Sequence, residues 1–453
     1  MIDFHKTCQG ASHIKTDKVC QDNSISITEP GLSVAIVSDG HGGDRYFRSD
    51  IGSKIACEIS LELIRFFVKH YSENPFEGSP LTQVGINWEC ADDVPPKNIA
   101  ILKQLLGAIL SQWQTNIKKH AQDFPLTDEE KIKVPPEYHT LLFDEEKLGK
   151  VYGCTLMAYV QTPKYWFAFQ IGDGKCFSFH IETGPKQPIL WDDACFLNKT
   201  TSLCDSNAIN EFRCTFEGDG KFPYAVVLGS DGLDDSFGED KNLINFYIQL
   251  LKLVFDSNKE HVEEILSKDL PILSQRGSQD DMSVAAVVDE FKKEKVLREL
   301  IEWQINSIQG ELNQNKARIH KFHKERKSLA EVRKDNPKAA IDYDYAVKEI
   351  LSSIELRRKL IERYNNLAKE LNNENPKIFN DDIPYDKVIP VIDKEEIIES
   401  DETETQDNLK ATEKYPVIST ANYGGQGFKS PKRFFRKKGK KQLKKIKRHN
   451  KRR

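Results

Sequence analysis

Short apolar runs punctuate the first 290 residues, and four of them meet an aspartate at one end. Leu32-Ser33-Val34-Ala35-Ile36-Val37-Ser38 leads into Asp39-Gly40-His41-Gly42-Gly43. Tyr165 to Ile171 leads into Gly172-Asp173-Gly174, and Tyr224 to Leu228 into Gly229-Ser230-Asp231-Gly232. Asp280-Asp281 stands instead before Met282 to Val288. Each run is short and rich in β-branched or aromatic residues, which predicts a buried strand rather than a helix. By contrast, Glu217-Gly218-Asp219-Gly220-Lys221 lies between two strand-like runs and reads as an ordinary hairpin loop.

Elsewhere the period changes. Ile51 to Tyr71 keeps helical spacing through Ile55, Ile59, Leu63 and Phe66-Phe67, and Asn98 to His120 does so through Ile101, Leu105-Leu106, Ile109 and Trp113. Residues 72–97 and 121–148 carry prolines and acids without a period and read as loops or insertions. After Asp289 the chain becomes charged and helical. Leu297, Ile301, Ile305, Ile308, Leu312, Ile319 and Phe322 share one face, Asp335-Asn336-Pro337 interrupts, and Ile350, Ile354, Leu360, Tyr364, Leu367 and Leu371 resume the pattern. Residues 291–375 are therefore expected to fold back as a coiled-coil-like antiparallel hairpin that covers its own seam. Residues 376–453 lose the period and are expected to form a disordered linker and basic tail.

The four aspartates share a grammar. Three follow their strand and one precedes it, so an antiparallel fourth strand would bring all four to one edge of the sheets. Carboxylates gathered there cannot all stay ionised without a cation. Hard oxygen ligands suit magnesium or manganese rather than zinc. Two such ions close together would bridge a phosphoryl group and lower the pKa of a shared water.

In order along the chain, Gly10-Ala11-Ser12-His13, Cys20-Gln21-Asp22-Asn23, Val37 to Gly43, Gly153-Cys154-Thr155-Leu156-Met157-Ala158, Ile171 to Gly174, Gly229 to Leu233 and Asp280-Asp281-Met282-Ser283 resemble the motifs of the metal-dependent serine/threonine protein phosphatases of type 2C, in a bacterial-type branch. The resemblance covers residues 1–290. It implies an α+β fold, a four-layer α-β-β-α sandwich with a two-metal site at one end. It further implies that Asp39 bridges two Mn2+ or Mg2+ ions and that the Gly40 carbonyl binds one. Asp231 and Asp280 would hold the other, Asp22 would act through water, and Asp173 would help a weaker third ion. His41 matches the histidine proposed to protonate the leaving oxygen, and an ordinary imidazole pKa of about 6.5 suits that task.

Three positions depart from the family pattern. Gln21 stands where many members have glutamate, and Asp17 where many have a phosphate-binding arginine. Lys175 replaces a common arginine, keeping charge without the bidentate fork. His13, Lys15, Lys18 and Lys175 are the cations left to meet a substrate phosphate.

Formal net charge is −4, but residues 429–453 contain fifteen Lys or Arg and no acid, leaving about −19 on the rest. The tail is a candidate tether for an acidic partner, nucleic acid or an anionic surface. Nine scattered cysteines without a Cys-x-x-Cys pair suggest reduced thiols and a cytoplasmic location. No apolar stretch approaches membrane-spanning length and no signal sequence is evident, so an integral membrane protein is not expected. The leading function is hydrolysis of phosphoserine or phosphothreonine in a phosphorylated protein by a water activated between two metals. The alternative is a catalytically weak, phosphatase-like module that binds phosphopeptides or acts as a scaffold.

Overall fold

The structure, a computed structural model, describes residues 1–77, 82–89, 95–193, 195, 199–217 and 221–388. The chain divides into two compact units, meeting at Lys293 and Glu294.

Among the described residues the first unit contains eleven strands: β1 (Ile2–Cys8), β2 (Asn23–Glu29), β3 (Leu32–Ser38), β4 (Thr82–Val84), β5 (Leu156–Gln161), β6 (Trp166–Ile171), β7 (Lys175–His180), β8 (Gly184–Lys186), β9 (Arg213–Glu217), β10 (Ala225–Gly229) and β11 (Met282–Val288). They form two sheets, ordered β1-β11-β10-β7-β8 and β2-β3-β5-β6-β9-β4. Every pairing is antiparallel. Its principal helices are α1 (Ala11–Lys15), α2 (Ser49–His70), α3 (Pro96–Asp123), α4 (Asp128–Lys133), α5 (Asp231–Phe237), α6 (Asp240–Asp256) and α7 (Lys259–Arg276).

Side-chain alternation explains why the strands read as continuous apolar runs. On β3, Ala35 and Val37 meet Val226 and Leu228 of β10 and Ala285 and Val287 of β11 between the sheets. The intervening Val34 and Ile36 face the other way, into a core with Ala56, Ile64, Leu105 and Trp113 of α2 and α3. On the far side, Tyr247 of α6 packs edge-on against Phe177 of β7, with ring centroids 6.1 Å apart. Both sheets are thus covered, giving the four-layer α-β-β-α sandwich of an α+β fold.

Several stretches differ from the sequence expectation. Residues 82–84 form an edge strand on β9, too short to show a period. Within 121–148, Thr127 caps α4 through its side chain, and Glu130 reaches back to the Thr127 N–H, a reciprocal capping box. The loop centred on Gly218 to Gly220 and the basic tail lie outside the described residues.

The second unit is built on α8 (Lys293–Leu329) and α9 (Pro337–Leu371). Ile301, Ile308 and Leu312 pack with Leu360, Tyr364 and Leu367. Ile319 and Phe322 pack with Ala346, Ile350 and Ile354, so the helices run antiparallel. Asn336 caps α9, and Pro337 occupies its first turn, where a missing N–H costs nothing. Residues 376–388, expected as linker, instead contribute Ile383 and Val388 to this core. Buried Arg357 secures them by bonding Asp381 through Nε at 2.9 Å. Among the described residues no helix is long and apolar enough to cross a membrane.

Candidate metal and phosphate site

The antiparallel fourth strand does what the sequence required of it. Because β11 pairs antiparallel with β10, residue 280 before β11 and residue 231 after β10 reach the same end. Ser230 locks the two strand ends together: its N–H donates to the Ser283 carbonyl at 3.0 Å, and its Oγ accepts the Ser283 N–H at 2.9 Å. A Cβ on Gly232 would sit 2.0 Å from the Asp281 carbonyl oxygen, so only glycine permits this approach of α5 to the acids. In the other sheet, β3 and β6 both pair antiparallel with β5, which sends Asp39 and Asp173 to a common end. Thr155 fixes the Asp39 backbone, its Oγ1 accepting the Asp39 N–H at 3.0 Å while its own N–H donates to the Asp39 carbonyl at 2.8 Å.

Asp39 and Asp231 stand close enough for each carboxyl to perturb the other. Burial and the charges of Asp22 and Asp231 push the Asp39 carboxyl well above the usual range. Burial, then Asp173, brings Asp231 up to about 7. Asp22 is raised by burial and by Asp281, with Ser230 as its hydrogen-bond partner. Asp173 is raised chiefly by burial and bonds Thr200. Asp280 is half exposed, and its Oδ1 accepts the Asp281 N–H at 3.0 Å.

Among the described residues, no three His, Cys, Asp or Glu side chains are set as they stand to hold a metal ion. Asp22, Asp39, Asp173, Asp231 and Asp280 lie close enough to perturb one another's carboxyls. Their chemistry nevertheless fits a hard divalent cation, since every donor is oxygen. Two buried oxygens, Asp22 Oδ2 and Gln21 Oε1, have no hydrogen-bond partner. A side chain at Gly40 would meet the Gln21 carbonyl at 2.4 Å, so only glycine lets the turn pack against residue 21.

His41 is placed differently from a solvated turn histidine. Its Nε2 lies 2.8 Å from Ser202 Oγ, and its ring meets Tyr46 edge-on at 4.7 Å. Burial lowers its pKa to about 4, with Asp205 opposing and Lys150 reinforcing the shift.

The phosphate candidates separate clearly. His13 is buried against Asp281, 2.9 Å from Nδ1, with Asp280 3.7 Å from Nε2. Lys175 is paired with Asp234 and Asp240. Lys18 instead lies on the exposed rim, where its Nζ donates to the Gly42 carbonyl at 2.9 Å. Lys15 is exposed and has no carboxylate partner among the described residues.

Asp281 and Gln21, both visible in the motifs, organise the site in ways the sequence does not reveal. Asp281 accepts the N–H groups of Gly10 and Gln21, each at 2.6 Å, tying the first motif to the last. Gln21 donates its amide to the His41 carbonyl at 3.0 Å and to Ser49 Oγ at 2.5 Å. An ionised glutamate has no N–H to give, so the departure at 21 supplies a brace for the turn. The adjacency of Asp280 and Asp281 was visible; their division of labour depends on backbone donors some 260 residues away.

Residues 9–270, more than half the chain, match the family profile described as Protein phosphatase 2C. No curated protein gave a significant match. Similar solved structures include the serine/threonine phosphatase Stp1 from Staphylococcus aureus, 14% identical, with a TM-score of 0.37 over 64% of this chain and 95% of that one. PppA of Pseudomonas aeruginosa is 16% identical, with a TM-score of 0.36 over 63% of this chain and 95% of its own. The Mycobacterium tuberculosis serine/threonine phosphatase PstP/Ppp is 13% identical, with a TM-score of 0.35 over 63% and 98%. On the profile match, this chain belongs to the protein phosphatase 2C family, a metal-dependent family of serine/threonine phosphatases.

Proposed function

We propose that the chain hydrolyses phosphoserine or phosphothreonine in proteins with the help of two Mn2+ or Mg2+ ions. The observation that carries this reading is the convergence of Asp39 and Asp231 at one end of the two sheets, with Asp22, Asp173 and Asp280 adding charge around them. Asp39, Asp231, Asp280 and the Gly40 carbonyl are the proposed ligands, with Asp22 acting through water and Asp173 beside a weaker third position. Bound ions would supply Lewis acidity toward the phosphoryl oxygens and a water of lowered pKa.

The protein's own residues have distinct tasks in this reading. Thr155 and Gln21 hold the turn on both sides of Asp39. Gly232 and Ser230 keep Asp231 close to Asp280. Lys18 meets the incoming phosphate, since His13 and Lys175 are already committed to carboxylates. His41 is the candidate proton donor to the leaving oxygen through Nε2, which must part from Ser202 to act. Its burial leaves the imidazole neutral at pH 7 in this arrangement, so the negative charge of the phosphoryl group would draw the proton onto it.

Calorimetric titration with Mn2+ tests the ligand set without relying on turnover. Wild type is expected to bind two ions with stabilisation against heat. Asp231→Asn is expected to lose at least one of them and about tenfold or more in affinity, by loss of a charged ligand. Equal Mn2+ binding by wild type and the variant would remove Asp231 from the site.

A further inference from the structure

The segment expected as a loop over 121–148 is built into the frame behind the metal turn. Arg48, nine residues after Asp39, is buried. Its Nε and Nη2 bond both Glu130 carboxylate oxygens, at 2.6 and 2.9 Å. Its Nη1 donates to the Phe124 carbonyl at 2.8 Å and Nη2 to the Pro125 carbonyl at 3.2 Å. At the other end of α4, Lys133 Nζ lies 2.7 Å from Asp17 Oδ2, in the loop after α1. Lys18 of that loop donates to the Gly42 carbonyl at 2.9 Å. Together these contacts run from α4 through residues 17 and 18 to the turn after Asp39.

The surface along this path has an unusual composition. Ile14, Val19 and Ile132 are 61%, 57% and 84% exposed. A single exposed aliphatic residue is ordinary; here Ile14 and Val19 flank the Asp17 loop, and Ile132 precedes the Lys133 that bonds it. Lys133 neutralises Asp17, and lies 3.0 Å from Glu129 as well. Lys15, Lys18 and Arg45 are exposed and have no carboxylate partner among the described residues. Arg45 instead rests on the Tyr46 ring, 4.6 Å from its centroid. The rim therefore carries aliphatic groups and three cations without carboxylate partners, against an exposed acid, Asp44, beside Arg45, although the floor behind it is acidic.

We propose that this rim docks an extended phosphorylated polypeptide that carries acidic residues and one large aliphatic side chain beside its phosphoresidue. The proposal rests on the phosphatase reading above and adds the kind of substrate. Charge complementarity selects the acids: Lys15, Lys18 and Arg45 face them while Lys18 is nearest the metal turn. An extended segment sends alternate side chains to opposite sides, so an aliphatic side chain can reach Ile132 and Val19 while its neighbours meet the cations. The rim also replaces, with several point charges, the single arginine that position 17 lacks.

Two phosphothreonine peptides test this with the full chain and Mn2+, one flanked by Glu and Leu and the other by Lys and Gly. Wild type is expected to show kcat/KM about tenfold or more higher for the first, the scale of one apolar contact with added charge. In Ile132→Asp and in Arg45→Glu that preference should fall to about threefold or less, with 4-nitrophenyl phosphate turnover as the reference for an intact site. Val19→Asp serves as a third variant should either of the others fail to fold. Equal use of both peptides by wild type overturns the docking surface and leaves the phosphatase reading in place. A preference that survives in full in all folded variants also overturns it. Turnover of none of the three substrates by wild type removes the reading on which the proposal rests.

Discussion

Asp39→Asn is expected to reduce phosphate release from a phosphopeptide by at least about 100-fold, the scale on which loss of one electrostatic group at a reacting centre is felt. The side chain keeps its shape but loses the negative charge that a cation would balance. Without metal, the same change should leave the fold as stable as wild type or more so. Asp39 stands beside Asp231 and Asp22, and each additional negative charge there is unfavourable. An asparagine amide can donate to the Asp231 carboxylate, which two carboxylates manage only by sharing a proton. Parallel measurements of turnover and of thermal unfolding in chelator check both halves. A variant that loses activity because it has unfolded would contradict the second.

Glu130→Ala is expected to cost roughly 3 kcal/mol of stability, the lower end of the range for breaking a buried ion pair. The lower end applies because the Glu130 side chain is 21% exposed, whereas that of Arg48 is 5% exposed. The variant leaves the guanidinium charge inside the protein with only the Phe124 and Pro125 carbonyls and the Tyr152 hydroxyl as partners. It also removes the reciprocal half of the α4 cap, where Glu130 accepts the Thr127 N–H at 2.8 Å. Glu130→Gln should cost less, since it retains hydrogen bonding. Burial alone would raise the Glu130 carboxyl, but the bonds from Arg48 and Thr127 outweigh it and hold the group below its ordinary value of 4.5. A depressed pKa means that this stabilisation is present above pH 4.5 and fades as pH falls through the lower folded value. Urea unfolding of wild type and Glu130→Ala should therefore differ most near neutrality and converge in acid.

Both predictions concern residues whose legibility in the sequence was quite different. Asp39 announced itself, because an apolar strand ending in an acid and glycines is a pattern of adjacent residues. The same holds for Asp173, Asp231 and Asp280, and the antiparallel direction of β11 follows from requiring them to meet. Glu130 did not, although Thr127-x-x-Glu130 is a recognisable capping box within a stretch lacking apolar periodicity. Its partnership with Arg48, 82 residues away, has no local trace. The helical hairpin was legible in its seam, yet residues 376–388 were not, because a short strap contributes only Ile383 and Val388 to the core. His41 was legible as a turn residue, whereas its burial against Ser202 and Tyr46 depends on a distant segment. Periodicity reports which face is buried; it does not report which distant backbone group a polar side chain will meet.

Phosphate release by the wild-type chain from an acidic, aliphatic phosphothreonine peptide, measured with Mn2+ and then with excess chelator, tests the central claim most directly. Turnover with Mn2+ is expected, with a fall of at least about 100-fold in chelator and recovery when Mn2+ is restored. Undiminished turnover in chelator would contradict that claim. So would peptide binding without phosphate release at saturating Mn2+, which would make the chain a phosphopeptide-binding member of its family.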